Sequence, residues 1–169
     1  MLFPDPFVTP RTGQDGPYQF RLLCPADVVA DYAAVVSAAE RIRGVFGPDN
    51  QWPPDNLTEA GNLTDLQRHE QDSLNRLNFA YSIWHDDRYA GCMYIKPFKS
   101  RLEEDARRGR FRELCYLWVS NAFVEHEAPI YQHTRHWVET HFPLRQPAWP
   151  GREWDWAQWA ALASADANG

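Results

Sequence analysis

The chain lacks the short fingerprints that name a chemistry outright. There is no Gly-x-Ser-x-Gly, no P-loop and no dinucleotide-binding glycine motif, so none of those nucleophile or phosphate devices is expected. Cysteine is scarce. Cys24, Cys92 and Cys115 are odd in number, widely spaced and set in apolar runs, which argues against a disulfide framework or a zinc cluster and for three reduced core thiols. No apolar stretch is long enough to span a bilayer, and the first residues lack the basic patch and apolar run of a signal peptide. A cytoplasmic protein with no membrane partner is the expectation, and the Asn-Leu-Thr triplets at Asn56 and Asn62 carry little weight as glycosylation sites. Positive charge is also short, with 17 Lys and Arg against 23 Asp and Glu, a net charge of −6. Only Arg107, Arg108, Arg110 and Arg112 approach a basic footprint, and Glu103, Glu104 and Asp105 precede them, so no nucleic-acid partner is expected.

Aromatic residues are abundant: eight Trp, nine Phe and seven Tyr in 169 residues, enough to offset the entropy of ordering one domain. Residues 1–17, with four prolines and no period, read as an irregular arm. Tyr18, Phe20 and Leu22 alternate with Gln19 and Arg21 as in a strand. Pro25 and Asp27 then suit the first turn of a helix whose apolar face runs from Val28 to Phe46. Trp52-Pro53-Pro54 belongs to a loop, and Thr58 is the cap of a second helix with a thin stripe of Leu63, Leu66, Leu74 and Leu77. Three strands follow: one from Phe79, one at 91–95 stopped by Pro97, and one at 114–119. Lys99 to Arg112 is a charged insertion that reads as a solvated loop or a partner-binding element. Pro129 opens the last clear helix, and a strand near Pro147 and a short helix from Asp155 complete the pattern.

The order strand, helix, helix, strand, strand, strand, helix, strand resembles the GNAT superfamily of acetyl-CoA-dependent N-acetyltransferases. The likeness rests on Tyr18 to Asp27, Phe79 to Ile83, Gly91 to Ile95 and Tyr116 to Val119. It implies an α/β (α+β) domain over residues 18–150, with a mixed, mostly antiparallel sheet flanked by helices and a shortened C-terminal part; the Trp-rich tail at 151–169 reads as a segment packed on that domain. It also implies acetyl-CoA as cofactor, with Leu117, Trp118 and Val119 on the pantetheine-facing strand. Asn121 to Ala128 takes the place of the family's pyrophosphate loop, which makes Asn121 and His126 candidate cofactor contacts. That segment has no glycine, no Arg or Gln at its head, and two carboxylates, Glu125 and Glu127. Glycine lets backbone N–H groups approach an anion, whereas each carboxylate within ~6 Å would oppose it by roughly 1–3 kcal/mol.

For the chemistry, the resemblance makes Glu113 a candidate general base, with a plain strand-edge carboxylate as the alternative. Tyr116 or Tyr131 is the candidate proton donor, against simple packing. The loop between the first two helices shapes the acceptor site in the family, which makes Arg43, Trp52, His69 and Glu70 candidate substrate contacts. His133, His136 and Glu139 share one helix face, but no fourth ligand is fixed and no metal is expected. Two functions remain. One is an N-acetyltransferase acting on a small-molecule or peptide amine. The other is a degenerate GNAT-fold binding module that does not use acetyl-CoA, whose aromatic tail would cover a partner or, in a homodimer, a second copy.

Overall fold

The computed structural model describes residues 1–164; residues 165–169 of the tail lie outside the described residues. Six strands form one sheet in sequence order: β1 (Thr12–Asp15), β2 (Tyr18–Leu22), β3 (Phe79–His85), β4 (Arg88–Pro97), β5 (Glu113–Val119) and β6 (Pro147–Ala148). All neighbours are antiparallel except β5 and β6, which run parallel. The helices are α1 (Val28–Ile42), α2 (Glu59–Leu74), the single turn α3 (Arg107–Arg110), α4 (Glu127–His141) and α5 (Trp156–Ala161).

Local chemistry explains most of the boundaries. Cys24, Pro25 and Asp27 make a 3-10 turn that leads into α1. Thr58 caps α2 by accepting from the Gly61 amide at 3.0 Å, and Asp155 caps α5 through a reciprocal box with Gln158. The β3–β4 hairpin turns on Asp86 and Asp87 alone, both left-handed at φ 47° and 58°, a conformation that a short Asp side chain tolerates.

Helices cover both faces of the sheet, which is why β3 and β4 are buried along nearly their whole length rather than on alternate residues. On one face, Phe20, Tyr81, Ile83 and Leu117 pack beneath Ile130, Trp137 and Val138 of α4. Trp137 stacks on Phe20 with centroids 4.4 Å apart and meets Tyr81 edge-on at 5.0 Å. On the other face, Cys92, Tyr94, Tyr116 and Trp118 pack beneath Val35 and Ile42 of α1 and Leu66 of α2. The α2 stripe is thinner than the leucine spacing suggests: Leu66 is buried, while Leu74 and Leu77 are exposed.

Two features depart from the sequence reading. The arm is not irregular throughout, because residues 12–15 pair with β2 as an edge strand. The charged insertion is not simply solvated: Asp105 is buried and forked by Arg107, whose guanidinium also lies 4.8 Å from the Trp159 ring centroid. In the tail, the aromatics pack on the domain. Trp159 is buried against Phe111 and Trp154, with centroids 5.2 and 5.6 Å away.

β4 and β5 approach closely at Gly91, where an added Cβ would lie 2.1 Å from the Trp118 carbonyl oxygen. Because that neighbour is backbone, Gly91→Ala should force the two strands apart. A loss of at least about 1–3 kcal/mol is expected in chemical denaturation.

Candidate active site

Strand β5 has a full ladder on one side and almost none on the other. Against β4 it pairs from Glu113 to Val119, but against β6 only Glu113 and Leu114 find partners, at Pro147 and Ala148. Beyond that point β5 has a free edge, and the chain after β6 turns away to Trp154 and α5. A cleft of about 210 Å³ opens there, lined by Leu117, Glu127, Arg152 and Trp156 among others.

The protein's own arginines meet that edge. Arg152 donates to the Leu117 carbonyl at 3.1 Å and to Glu127 at 2.5 Å. Arg41, from α1, donates to the Val119 carbonyl and to the Asn121 side chain. The glycine-free segment is not an open loop. Asn121 to His126 forms a 3-10 helix that runs directly into α4 at Glu127, ahead of the start expected at Pro129. At its start Phe123 N–H donates to the Ser120 carbonyl, and just past its end Glu127 N–H donates to the Val124 carbonyl. Asn121 donates to the Ser37 carbonyl of α1, so its side chain is already engaged on both sides. His126 lies at the junction of the two helices, exposed, with its ring 6.1 Å from that of Phe123.

A much larger cavity, about 1230 Å³, opens at the other end of β5 between α2, the end of β4 and the start of β5. Glu113, Tyr116, His69 and Lys96 all line it. A smaller adjoining cavity of about 190 Å³ shares His69 and Lys96 and adds Trp52 and Tyr94. Phe46, from the segment joining α1 and α2, stands between them, with its ring centroid 5.0 Å from Tyr94, 5.2 Å from Tyr116 and 5.5 Å from Trp52.

Burial controls the ionisation here. Lys96 Nζ sits 4.0 Å from the Phe46 centroid with no carboxylate within ion-pair distance among the described residues. Desolvation, helped by repulsion from Arg68 and Lys99, lowers its pKa to about 8. His69 is pushed down to about 4 by burial and by Arg68 and Lys96, so it is neutral at physiological pH. Burial raises the Tyr116 hydroxyl to about 12 and keeps it protonated. Glu113 is not an edge carboxylate in water. It is buried, and its Oε2 accepts from the amides of Arg145 at 3.2 Å and Gln146 at 3.1 Å. Both bonds fall on one oxygen, so Oε1 is left without a protein donor among the described residues.

No family model matches the chain, and no curated protein matches it in sequence. Solved structures do match its shape. RimL, a ribosomal L7/L12 alpha-N-protein acetyltransferase in complex with coenzyme A, aligns at TM-score 0.59 and 13% identity, over 79% of this chain and 66% of that one. A ribosomal-protein-S5-alanine acetyltransferase from Vibrio fischeri aligns at TM-score 0.55 and 14% identity, over 89% and 81%. The microcin C7 self-immunity acetyltransferase MccE, with acetyl-CoA and AMP, aligns at 0.55 and 8%, over 78% and 64%. Together with the parallel β5–β6 pair that parts after two residues, these matches decide the architecture. The chain has the GNAT fold.

Within the GNAT frame the expected site residues fall into separate groups. Glu113, Tyr116 and His69 line the large cavity, and Trp52 and His69 line the smaller one, with strand alternation turning Glu113 toward the α4 face and Tyr116 toward the α1–α2 face. Arg43 does not join them: it closes the α1–α2 connection by donating to the Pro53 carbonyl at 3.1 Å and pairing with Asp55 at 2.5 Å. Glu70 lines neither cavity. Tyr131 lies across the sheet on α4, against Trp149 at 5.4 Å and 5.6 Å from the Arg152 guanidinium. Leu117 and Val119 offer the free-edge carbonyls, whereas the Trp118 side chain points into the opposite core and donates to Tyr94 at 3.1 Å. Sequence reasoning missed Lys96, Phe46, Arg41 and Arg152. Lys96 reads as a strand-end lysine until the fold half-buries it against Phe46. His133 and His136 both meet Asp15, at 2.6 and 2.7 Å, while Glu139 pairs with Arg135.

The lowered Lys96 pKa has a definite sign. The folded state holds the proton less tightly than the unfolded chain, so the group costs stability below about 8, and that cost is relieved as pH rises toward the ordinary value of 10.5. Lys96→Met should therefore raise the melting temperature at pH 7 and flatten the rise between pH 8 and 10.5.

Proposed function

We propose that this protein is an acetyl-CoA-dependent N-acetyltransferase whose amine acceptor enters the large cavity at the start of β5. The observation that carries this reading is the free edge of β5 after Leu114, which opens a cleft toward the C-terminal end of the strand while Glu113 and Tyr116 line a cavity at its start. An acetyl group carried on a pantetheine arm laid along residues 115–119 would reach the region between them. When bound, the cofactor supplies the activated thioester; the chain's residues would orient it and manage the protons.

Glu113 has the geometry of a positioned base. One oxygen is anchored by two backbone amides, and the other is free to take a proton from the incoming ammonium. Tyr116, held protonated by burial, is the donor for the departing thiolate, and it shares the cavity with Glu113 as Tyr131 does not. Trp52, Phe46 and neutral His69 would wall the acceptor. In this reading Arg41 and Arg152 would replace the missing glycines, their guanidiniums turning from the Val119 and Leu117 carbonyls toward the cofactor phosphates. This needs Arg152 to leave Glu127, and that cost favours weak cofactor binding.

The same ion pair supports a second reading. If Arg152 stays on Glu127 and Leu117, the cleft is closed, and the chain is a GNAT-fold binding module that works through the larger cavity.

Thermal melting with acetyl-CoA separates the two. Saturation at 100 times the dissociation constant should add about 2.7 kcal/mol, or about 5–10 °C for a domain of this size. No shift at millimolar cofactor rejects the enzyme reading. If the shift is present, Glu113→Gln should keep it, because the amide oxygen still accepts from residues 145 and 146. The same variant should slow acetyl transfer by about 10²–10⁴-fold in a thiol-release assay.

A further inference from the structure

The large cavity is strongly basic in a chain whose net charge is −6. Arg68, Lys96, Lys99, Arg101, Arg112 and Arg145 line it, against only two carboxylates, Asp72 and Glu113. Both carboxylates are already engaged. Asp72 accepts from Asn78 at 2.9 Å and lies 3.9 Å from Arg68, and Glu113 is bound to the backbone of residues 145 and 146. Arg68 has Asp65 as well, at 3.2 Å. The other five cations have no ion pair among the described residues, and neither Arg112 nor Arg145 makes a side-chain hydrogen bond there. Five cations without ion-pair partners among the described residues, four exposed and Lys96 over an aromatic ring, surround one concavity and give it a positive potential.

We propose that this cavity binds a phosphate-type oxyanion, and that the amine acetylated here carries such a group. The binding part stands on the cavity alone; the acceptor part rests on the acetyl-transfer reading above. The chemistry favours phosphate over a single carboxylate for two reasons. Several planar guanidiniums can each present two parallel N–H donors to one multiply charged oxyanion, and Lys96 adds a point charge from the floor. The volume of about 1230 Å³ leaves room for the rest of a phosphorylated amine beside Phe46 and Tyr116. With the phosphate held by the cations, the amine would be directed toward Glu113, which walls the same space.

The direct test is calorimetric titration with inorganic pyrophosphate at constant ionic strength, without coenzyme A. The wild-type protein should bind it. The double variant Arg112→Gln, Arg145→Gln should bind roughly tenfold more weakly or worse, and Lys99→Gln, Arg101→Gln should also lose affinity. Circular dichroism and melting in buffer establish that each variant is folded. Arg21→Gln, on β2 and outside the cavity, should bind as the wild type does. No binding by the wild type, equal binding by the cavity variants, or a loss confined to Arg21→Gln would each overturn the site. For the acceptor part, pyrophosphate should compete with the amine, and a phosphorylated amine should show a lower KM than the same amine without its phosphate. Equal KM values overturn that part, while absence of any acetyl-CoA shift removes the transfer reading and leaves the anion site standing on the titration.

Discussion

The two hydrogen bonds that Glu113 accepts come from the backbone of residues 145 and 146, just before β6, and they hold the returning chain against the start of β5. A buried carboxylate is costly without such donors, and two amides at one oxygen are the compensation. The consequence is geometric. β6 is pinned at Glu113 and Leu114 and nowhere further along, so β5 leaves that contact with one edge uncovered. The cleft, the exposure of the Leu117 and Val119 carbonyls and the separation of the two openings all follow from where that clamp sits. The residue proposed as the base is thus also the residue that shapes the site, and Glu113→Gln keeps the second role while removing the first.

Electrostatics divides the ends of β5. At the C-terminal end, arginines from α1 and from the segment after β6 satisfy free backbone carbonyls, and one is neutralised by Glu127. At the N-terminal end the cations are mostly unmatched, and desolvation and neighbouring cations lower the pKa of Lys96 to about 8. The first end is self-satisfied, and the second is short of negative charge. A cofactor must displace existing contacts at one, whereas an anionic ligand would add contacts at the other.

Much of the fold was legible because its signals are local. Thr58 and Asp155 announce helix starts, Pro97 ends a strand, and the alternation from Tyr18 and Phe79 marks β2 and β3. Strand order then carried the GNAT resemblance that the structural matches support at the level of fold. What escaped is long-range. Thr12–Asp15 has too few apolar residues to mark a strand, and it pairs because β2 offers an edge. Asn121 to His126 looked like a loop because it lacks a helical apolar face, yet buried Phe123 and the contacts to α1 wind it into 3-10 turns. The absence of glycine was visible from the start. That Arg152, distant in sequence, would neutralise one of the two carboxylates there was not. For the same reason the candidate tyrosines were indistinguishable until the sheet put them on opposite faces.

The central claim is that the free edge of β5, now met by Arg152 and Arg41, is a cofactor edge. Amide-resolved NMR titration with acetyl-CoA addresses it most directly. The account predicts saturable shifts at Leu117 and Val119 together with the Arg152 side chain, as its guanidinium exchanges Glu127 for phosphate. Saturation with those signals unmoved, or shifts confined to the cavity around Lys96, would contradict it.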